Sequence, residues 1–238
     1  MNKSLKYFFG VTYLVILILF LYLIFSNIEI TKLNDFSYIK QLQSNIEQII
    51  GKNLYKNLFL FFLFSIIWVT LLGFGSPLLI ISGIFFGKWV GTAISVISIS
   101  IGALTLYTFA GFFFKDLVKK LINEKIVKII NVFKKNEFNY FFLYRFVGGF
   151  GVPFFLQNIF PVIFDMKKRN YFFSSFLGFI PGFFIFNSIG SGLNQYIKNS
   201  DNFNFFSLLF TYEIYMPICL FTLFLLISFI IKKVFFNA

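Results

Sequence analysis

Apolar residues fall along this chain in long unbroken blocks, not in the two-residue alternation of a half-buried strand. Six stretches contain no Asp, Glu, Lys or Arg: 7–28, 57–87, 89–114, 146–164, 170–197 and 214–231. Each comes near or exceeds the ~20 residues that a helix needs to span hydrocarbon. Helical periodicity is confined to the segments between them. Ile39, Leu42, Ile46, Ile49 and Ile50 share one face ahead of Gly51, and Val118, Leu121, Ile122, Ile126, Ile129, Ile130 and Phe133 share another within a lysine-rich run. Both patterns predict amphipathic helices lying in a membrane interface.

Laid end to end, the blocks predict an N-terminal transmembrane anchor (1–28), an outer interfacial segment (29–56), a core (57–197) and a C-terminal transmembrane helix (208–231). The first block follows Lys3 and Lys6 but is longer than a ~7–15 residue signal-peptide core, and Phe25-Ser26-Asn27 is a poor cleavage site, so it reads as a retained anchor. Residues 57–114 are too long for one crossing. A hairpin over 57–87, turning near Gly73-Phe74-Gly75-Ser76-Pro77, followed by a crossing at 89–114, resolves the count; three crossings are the alternative. After an inner amphipathic segment (115–137), a second hairpin is expected over 138–164, turning at Gly148-Gly149-Phe150-Gly151-Val152-Pro153, before a crossing at 170–197. The expected fold class is thus an all-α integral membrane protein. Its core is an inverted repeat of re-entrant helical hairpin plus transmembrane helix, with added terminal transmembrane helices and interfacial amphipathic helices.

Charge supports this path. Of 21 Lys and Arg residues, fourteen fall in segments assigned to the inner side and five in outer ones, with Lys88 and Arg145 at or within the hairpins. That asymmetry is the positive-inside pattern, and it explains the net charge of +12 without nucleic acid as a partner. A content of 58% hydrophobic and 13% charged residues excludes a water-soluble fold of this length. The chain has no histidine and one cysteine, Cys219, which removes His-based acid–base chemistry, His-ligated metals and an intrachain disulfide. No enzyme activity, cofactor or metal is expected.

The ordered runs Gly73-Phe74-Gly75-Ser76-Pro77, Ser82-Gly83-Ile84-Phe85-Phe86-Gly87-Lys88-Trp89-Val90-Gly91 and Gly102-Ala103, then Tyr144-Arg145, Pro153, Asn158, Tyr171-Phe172, Gly178, Pro181-Gly182 and Gly190, resemble the DedA/VTT superfamily, also called the SNARE-associated Golgi protein family. The resemblance spans about Leu60 to Leu193 and is closest to the Tvp-like branch. It implies two opposed re-entrant loops and movement of lipids between leaflets, with phospholipid or polyprenyl phosphate as cargo. A multi-pass location in a bacterial inner (plasma) membrane is expected, and the crossing count with the Lys/Arg distribution puts both termini in the cytoplasm. Arg145 matches the family's arginine ahead of the second loop, and Pro77, Gly83, Gly87, Pro153, Asn158, Gly178 and Pro181 match its backbone-shaping positions. One departure is that 57–87 holds no Asp or Glu, where many bacterial members place acids implicated in proton coupling.

The residues' own chemistry gives a similar list. A guanidinium inside a membrane costs ~2.5–3.5 kcal/mol at a helix centre, so Arg145 needs a partner or a purpose, and its planar fork suits a lipid phosphate. The alternative is that it snorkels to the headgroups or caps carbonyls of the hairpin. Gln157, Asn158, Ser76 and Ser82, with Asn187, are the candidates to line a polar groove, or else to bond neighbouring helices. Gly75, Pro77, Gly151, Pro153, Gly178, Pro181 and Gly182 are expected to shape the loops, and Gly83, Gly87 and Gly91 to form a small-residue stripe for helix packing. Membrane phospholipids are the expected partners, and a homo-oligomer is compatible with the pattern. A secondary transporter of a small anionic solute and a non-transporting membrane scaffold are the competing functions.

Overall fold

The computed structural model describes residues 3–26, 35–72, 74–121 and 124–236, and the regular structure in them is entirely helical. In chain order the α-helices are α1 (Lys3–Phe25), α2 (Phe36–Lys52), α3 (Leu54–Leu72), α4 (Ser76–Leu121), α5 (Glu124–Lys135), α6 (Glu137–Phe146), α7 (Phe154–Ile159), α8 (Lys168–Asn199), α9 (Phe205–Leu209) and α10 (Tyr212–Phe236). Turns of 3-10 helix occupy Gly148–Gly151 and Phe160–Val162. Among the described residues, three helices are long and apolar enough to cross a membrane: 54–71, 76–113 and 168–199.

Small polar residues share the interior with an apolar core that includes Val69, Leu78 and Ile99, and large apolar side chains also cover the outside. Fully buried positions include Ser65, Ser82, Ser95, Ser98, Ser100, Asn158 and Asn187, while Leu60, Ile67, Trp89, Phe109, Phe173 and Leu226 are exposed. Where the solvent is lipid, large apolar groups gain nothing by leaving it, and helices associate through small residues that permit close packing.

The 76–113 span is not a straight rod. Gly87 adopts φ 72° and ψ 174°, a left-handed conformation that side chains resist, and α4 folds back there. Ser82 Oγ lies 2.8 Å from Ser95 Oγ, and a Cβ on Gly75 would sit 3.5 Å from Ile99, so the limbs 76–86 and 88–121 run antiparallel. Phe61 packs on Phe86 (5.3 Å) and Gly102 against Val69, which sets α3 parallel to the second limb. Helix α6 runs beside the first half of α8, with Glu137 bonded to Asn170 and Gly178 against Arg145, and α7 lies between them in sequence. Helices α4 and α8 make the largest interface. The second limb of α4 is antiparallel to α8, since Gly91 meets Asn187 whereas Tyr107 stacks on Tyr171 at 4.5 Å.

The flanking helices pack around this core. Helix α1 lies along α3, with Tyr13 OH donating to Leu71 O and Phe20 against Phe64 and Trp68. Helix α2 caps the C-terminal end of α8: Gln43 donates to Asn194 (2.7 Å), Lys40 to Ser200 O (2.9 Å), and Lys198 pairs with Glu47. Its N-cap is Asp35, whose carboxyl is held below its ordinary pKa by the Ser37 hydroxyl and N–H.

Several boundaries differ from the sequence reading. The outer segment is ordered helix from Phe36 to Lys52, and the expected residues 29–34 lie outside the described ones, as do Met1, Gly73, Asn27 and Ile122. The lysine run is not one interfacial helix: 115–121 continue α4, and 124–135 form a separate helix, because Lys and Leu are good helix formers that do not stop a helix at a membrane surface. The C-terminal segment divides into α9 and α10. Pro77 and Pro153 do not break helices from within. Pro77 is the second residue of α4 and Pro153 the N-cap of α7, positions where a missing N–H costs nothing. Pro181 and Gly182 lie inside a continuous α8 and shape no loop. Gly83, Gly87 and Gly91 form no single stripe, because the fold at Gly87 puts Gly83 and Gly91 on two limbs that both face Asn187.

Close backbone approach at these glycines is therefore a stability determinant. A Cβ at Gly190 would lie 2.2 Å from Ile80 O, whereas one at Gly111 meets nothing within 4 Å. Gly190→Ala is expected to destabilise the protein in detergent by roughly 1–3 kcal/mol. Gly111→Ala is expected to leave its thermal unfolding unchanged or slightly raised.

Candidate functional site

Two chain breaks meet in the interior. The first, at Phe74 and Gly75, precedes α4; the second runs from Val147 through Gly148–Gly151 to Pro153. Gly148, Gly149 and Gly151 have φ of 71°, 69° and 77°. Three left-handed residues in four make a turn tight enough to reverse the chain within one layer of the bundle, which other residue types would oppose. Gly149 also clears space for Gln157, whose side chain a Cβ would strike at 2.2 Å. The Gln157 amide in turn donates to Val152 O (2.6 Å) and Gly148 O (3.4 Å), supplying the loop carbonyls with a partner that hydrocarbon cannot give.

Arg145, in the last turn of α6, points into this region and is only 2% exposed. Its Nη1 donates to Gln157 Oε1 (3.0 Å), and its Nη2 donates to Asn158 Oδ1 (2.5 Å) and Tyr171 OH (2.9 Å). Four rings surround the guanidinium carbon: Phe141 at 4.8 Å, Phe179 at 4.9 Å, Phe154 at 5.5 Å and Tyr171 at 5.6 Å. A hydrogen bond to a charged group contributes ~1.5–3 kcal/mol and a desolvated cation–π contact up to about 2 kcal/mol. Two or three such contacts offset the insertion cost of the charge. None of these partners carries a negative charge, so the site keeps its +1.

Donor capacity is left over. Arg145 Nε and Asn158 Nδ2 are buried with no hydrogen-bond partner, and buried donors of that kind call for an acceptor. Beside them is a cavity of about 460 Å³. Gly75 and Ser76 line it from the first break and Val147, Gly148, Gly151 and Val152 from the second, together with Arg145, Gln157, Gly178, Gly182 and a wall of phenylalanines. Helix α10 closes one side with Phe221, Phe224, Leu225 and Phe229. The site thus places one cation, with an unpartnered Nε donor, at the wall of a largely apolar chamber.

The sequence-predicted residues separate into two groups. Arg145, Gln157 and Ser76 line the cavity, and Asn158 stands directly behind Arg145. Ser82 and Asn187 do not reach it. They bond to each other and Ser82 meets Ser95, forming a fully buried polar knot where α4 folds back against α8. Arg145 neither snorkels to an interface nor caps hairpin carbonyls; its bonds go to side chains. Sequence reasoning gave no role to Tyr171, which joins Arg145 and Asn158 to Ala103 O of α4 (3.2 Å), or to the four aromatic rings. The available signal was the Tyr171-Phe172 pair within the runs that carry the family resemblance, indistinct as chemistry in a chain that is 24% aromatic.

Tyr171→Phe keeps the ring stacks and removes only the hydroxyl. We expect it to destabilise the folded protein by about 1–3 kcal/mol, because three buried partners lose a bond at once. Thermal unfolding in detergent, compared with Tyr140→Phe at an exposed position, checks this.

Among known families, the sequence model of the VTT domain matches residues 71–192, a range that holds both breaks, Arg145, α4 and most of α8. No solved structure matches the chain.

Proposed function

The chain belongs to the VTT-domain family, and on that footing we propose that it moves phosphate-bearing lipids, phospholipid or polyprenyl phosphate, between membrane leaflets. The observation that carries this reading is Arg145: a buried guanidinium with no acidic partner among the described residues, donors to spare, and a cavity alongside. Planar, bidentate donation is what a phosphate accepts best.

In this proposal α3 with the first limb of α4, and α6 with α7, are re-entrant hairpins entering from opposite sides. Each is followed by a crossing helix, and the two units are related by inversion. Their tips meet near mid-bundle. Gly178, which touches Arg145, is ten residues into α8, roughly 15 Å at 1.5 Å per residue and so about half the ~30 Å hydrocarbon thickness. A cavity of about 460 Å³ is far too small for a whole phospholipid. The headgroup would pass Arg145 while the acyl chains stay in the bilayer, next to the phenylalanine wall. The end of the bundle carrying α5 and Lys167, Lys168 and Arg169 faces the cytoplasm in this scheme, following the positive-inside rule. With no histidine in the chain and no acid in 57–87, the reading is transport without a catalytic step and without proton coupling through the first hairpin.

Dithionite quenching of fluorescent phospholipids in proteoliposomes tests it. Wild-type protein is expected to expose more than the outer leaflet's share, and Arg145→Ala to slow the exchange roughly 10- to 100-fold, the equivalent of ~1.5–3 kcal/mol. Arg145→Lys, which keeps the charge but not the fork, should fall between them. Unchanged exchange in folded Arg145→Ala protein would overturn the role.

A further inference from the structure

A second feature lies outside the central cavity. Between α6 and the first half of α8 runs an open groove of about 570 Å³, lined by Phe138, Lys167, Arg169, Asn170, Phe173 and Leu177. Arg169, Phe173 and Leu177 follow at four-residue intervals and so form one stripe along α8. The stripe is charged at the end of the bundle and apolar towards its middle, over roughly 12 Å at 1.5 Å per residue. Phe173 and Leu177 are 47% and 43% exposed, and both cationic side chains are exposed as well.

The acidic groups nearby do not neutralise these cations. Glu137, 7% exposed, is turned inward, where its carboxylate accepts from Lys167 N–H (3.1 Å) and Asn170 Nδ2 (2.6 Å). Asp165 does not line the groove. Among the described residues, neither the Lys167 ammonium nor the Arg169 guanidinium has an ion pair. Two unpaired cations therefore stand at the mouth of a groove whose floor is apolar and open to the surroundings.

We propose that this groove holds one anionic phospholipid of the leaflet at the basic end, its phosphate between Lys167 and Arg169 and an acyl chain along Phe138, Phe173 and Leu177. Charge complementarity selects the headgroup, since basic pockets beside membrane helices bind anionic lipids. The continuous apolar floor selects a lipid over a free soluble anion, which would gain nothing from Phe173 and Leu177. The bound lipid would also brace α6 against α8, the pair that holds Arg145. The inference is independent of what crosses the central cavity.

Full-length protein in nanodiscs of mixed phosphatidylglycerol and phosphatidylcholine, analysed by native mass spectrometry after release into detergent, tests the site. Wild-type protein is expected to retain phosphatidylglycerol in preference. Lys167→Gln with Arg169→Gln should reduce that preference roughly thirtyfold, about fivefold per charge. Lys52→Gln with Lys56→Gln, at the opposite end, should leave it intact. If the double variant fails to fold, Lys167→Gln and Arg169→Gln are read singly, each for its fivefold share. No preference in the wild type, or an undiminished one in the groove variants, would overturn the proposal.

Discussion

A peptide group in hydrocarbon must find its hydrogen-bond partner within the protein, and this structure is organised around two places where the chain leaves the helical pattern that satisfies that demand. Each break is placed against something that can compensate. The loop at 148–151 has its carbonyls served by Gln157, and the first break has Phe74 O taken by the Trp68 indole at 2.9 Å. Because lipid offers no such service, both breaks face inward and come to line the same cavity.

Arg145 sits where those requirements converge. Gln157 serves the loop and the guanidinium together, Asn158 and Tyr171 tie the guanidinium to the returning helix and to α8, and Tyr171 carries the link to α4. The charge is thus fixed by four separate elements of chain without being cancelled. A carboxylate in the same place would have made a closed ion pair with little reason to bind anything further. Neutral amides and aromatic faces hold the cation and leave its field pointed at the cavity. The Ser82–Asn187 knot does related work on the other half, locking the fold-back of α4 against α8 with glycines on either side.

Much of this was legible in the sequence, because punctuation in an apolar chain is conspicuous. Charge-free blocks located the long helices, the Gly/Pro runs located both breaks, and Arg145, Gln157 and Asn158 stood out as polar groups in a hydrophobic stretch. What could not be read is whatever depends on one apolar residue differing from the next. With 42 phenylalanines, nothing marks Phe141, Phe154 and Phe179 as the rings around a cation, or Phe221 and Phe224 as a cavity wall. Ser82 and Asn187 look like groove residues in one dimension and prove to be interior glue in three. Lys115 to Leu121 looked like a surface segment because of charge, although helix continuity is decided by the backbone and not by where the membrane ends.

The central claim is that the Arg145 guanidinium meets a lipid phosphate. The chain has only two arginines, Arg145 and Arg169, so arginine-labelled Arg169→Lys protein reports on Arg145 alone. Solid-state NMR of that protein in phospholipid bilayers, measuring dephasing of the guanidinium carbon by lipid phosphorus, gives the distance directly. The account predicts a separation of roughly 4 Å, as a guanidinium–phosphate hydrogen bond imposes. A guanidinium carbon that shows no phosphorus dephasing in folded protein would contradict it.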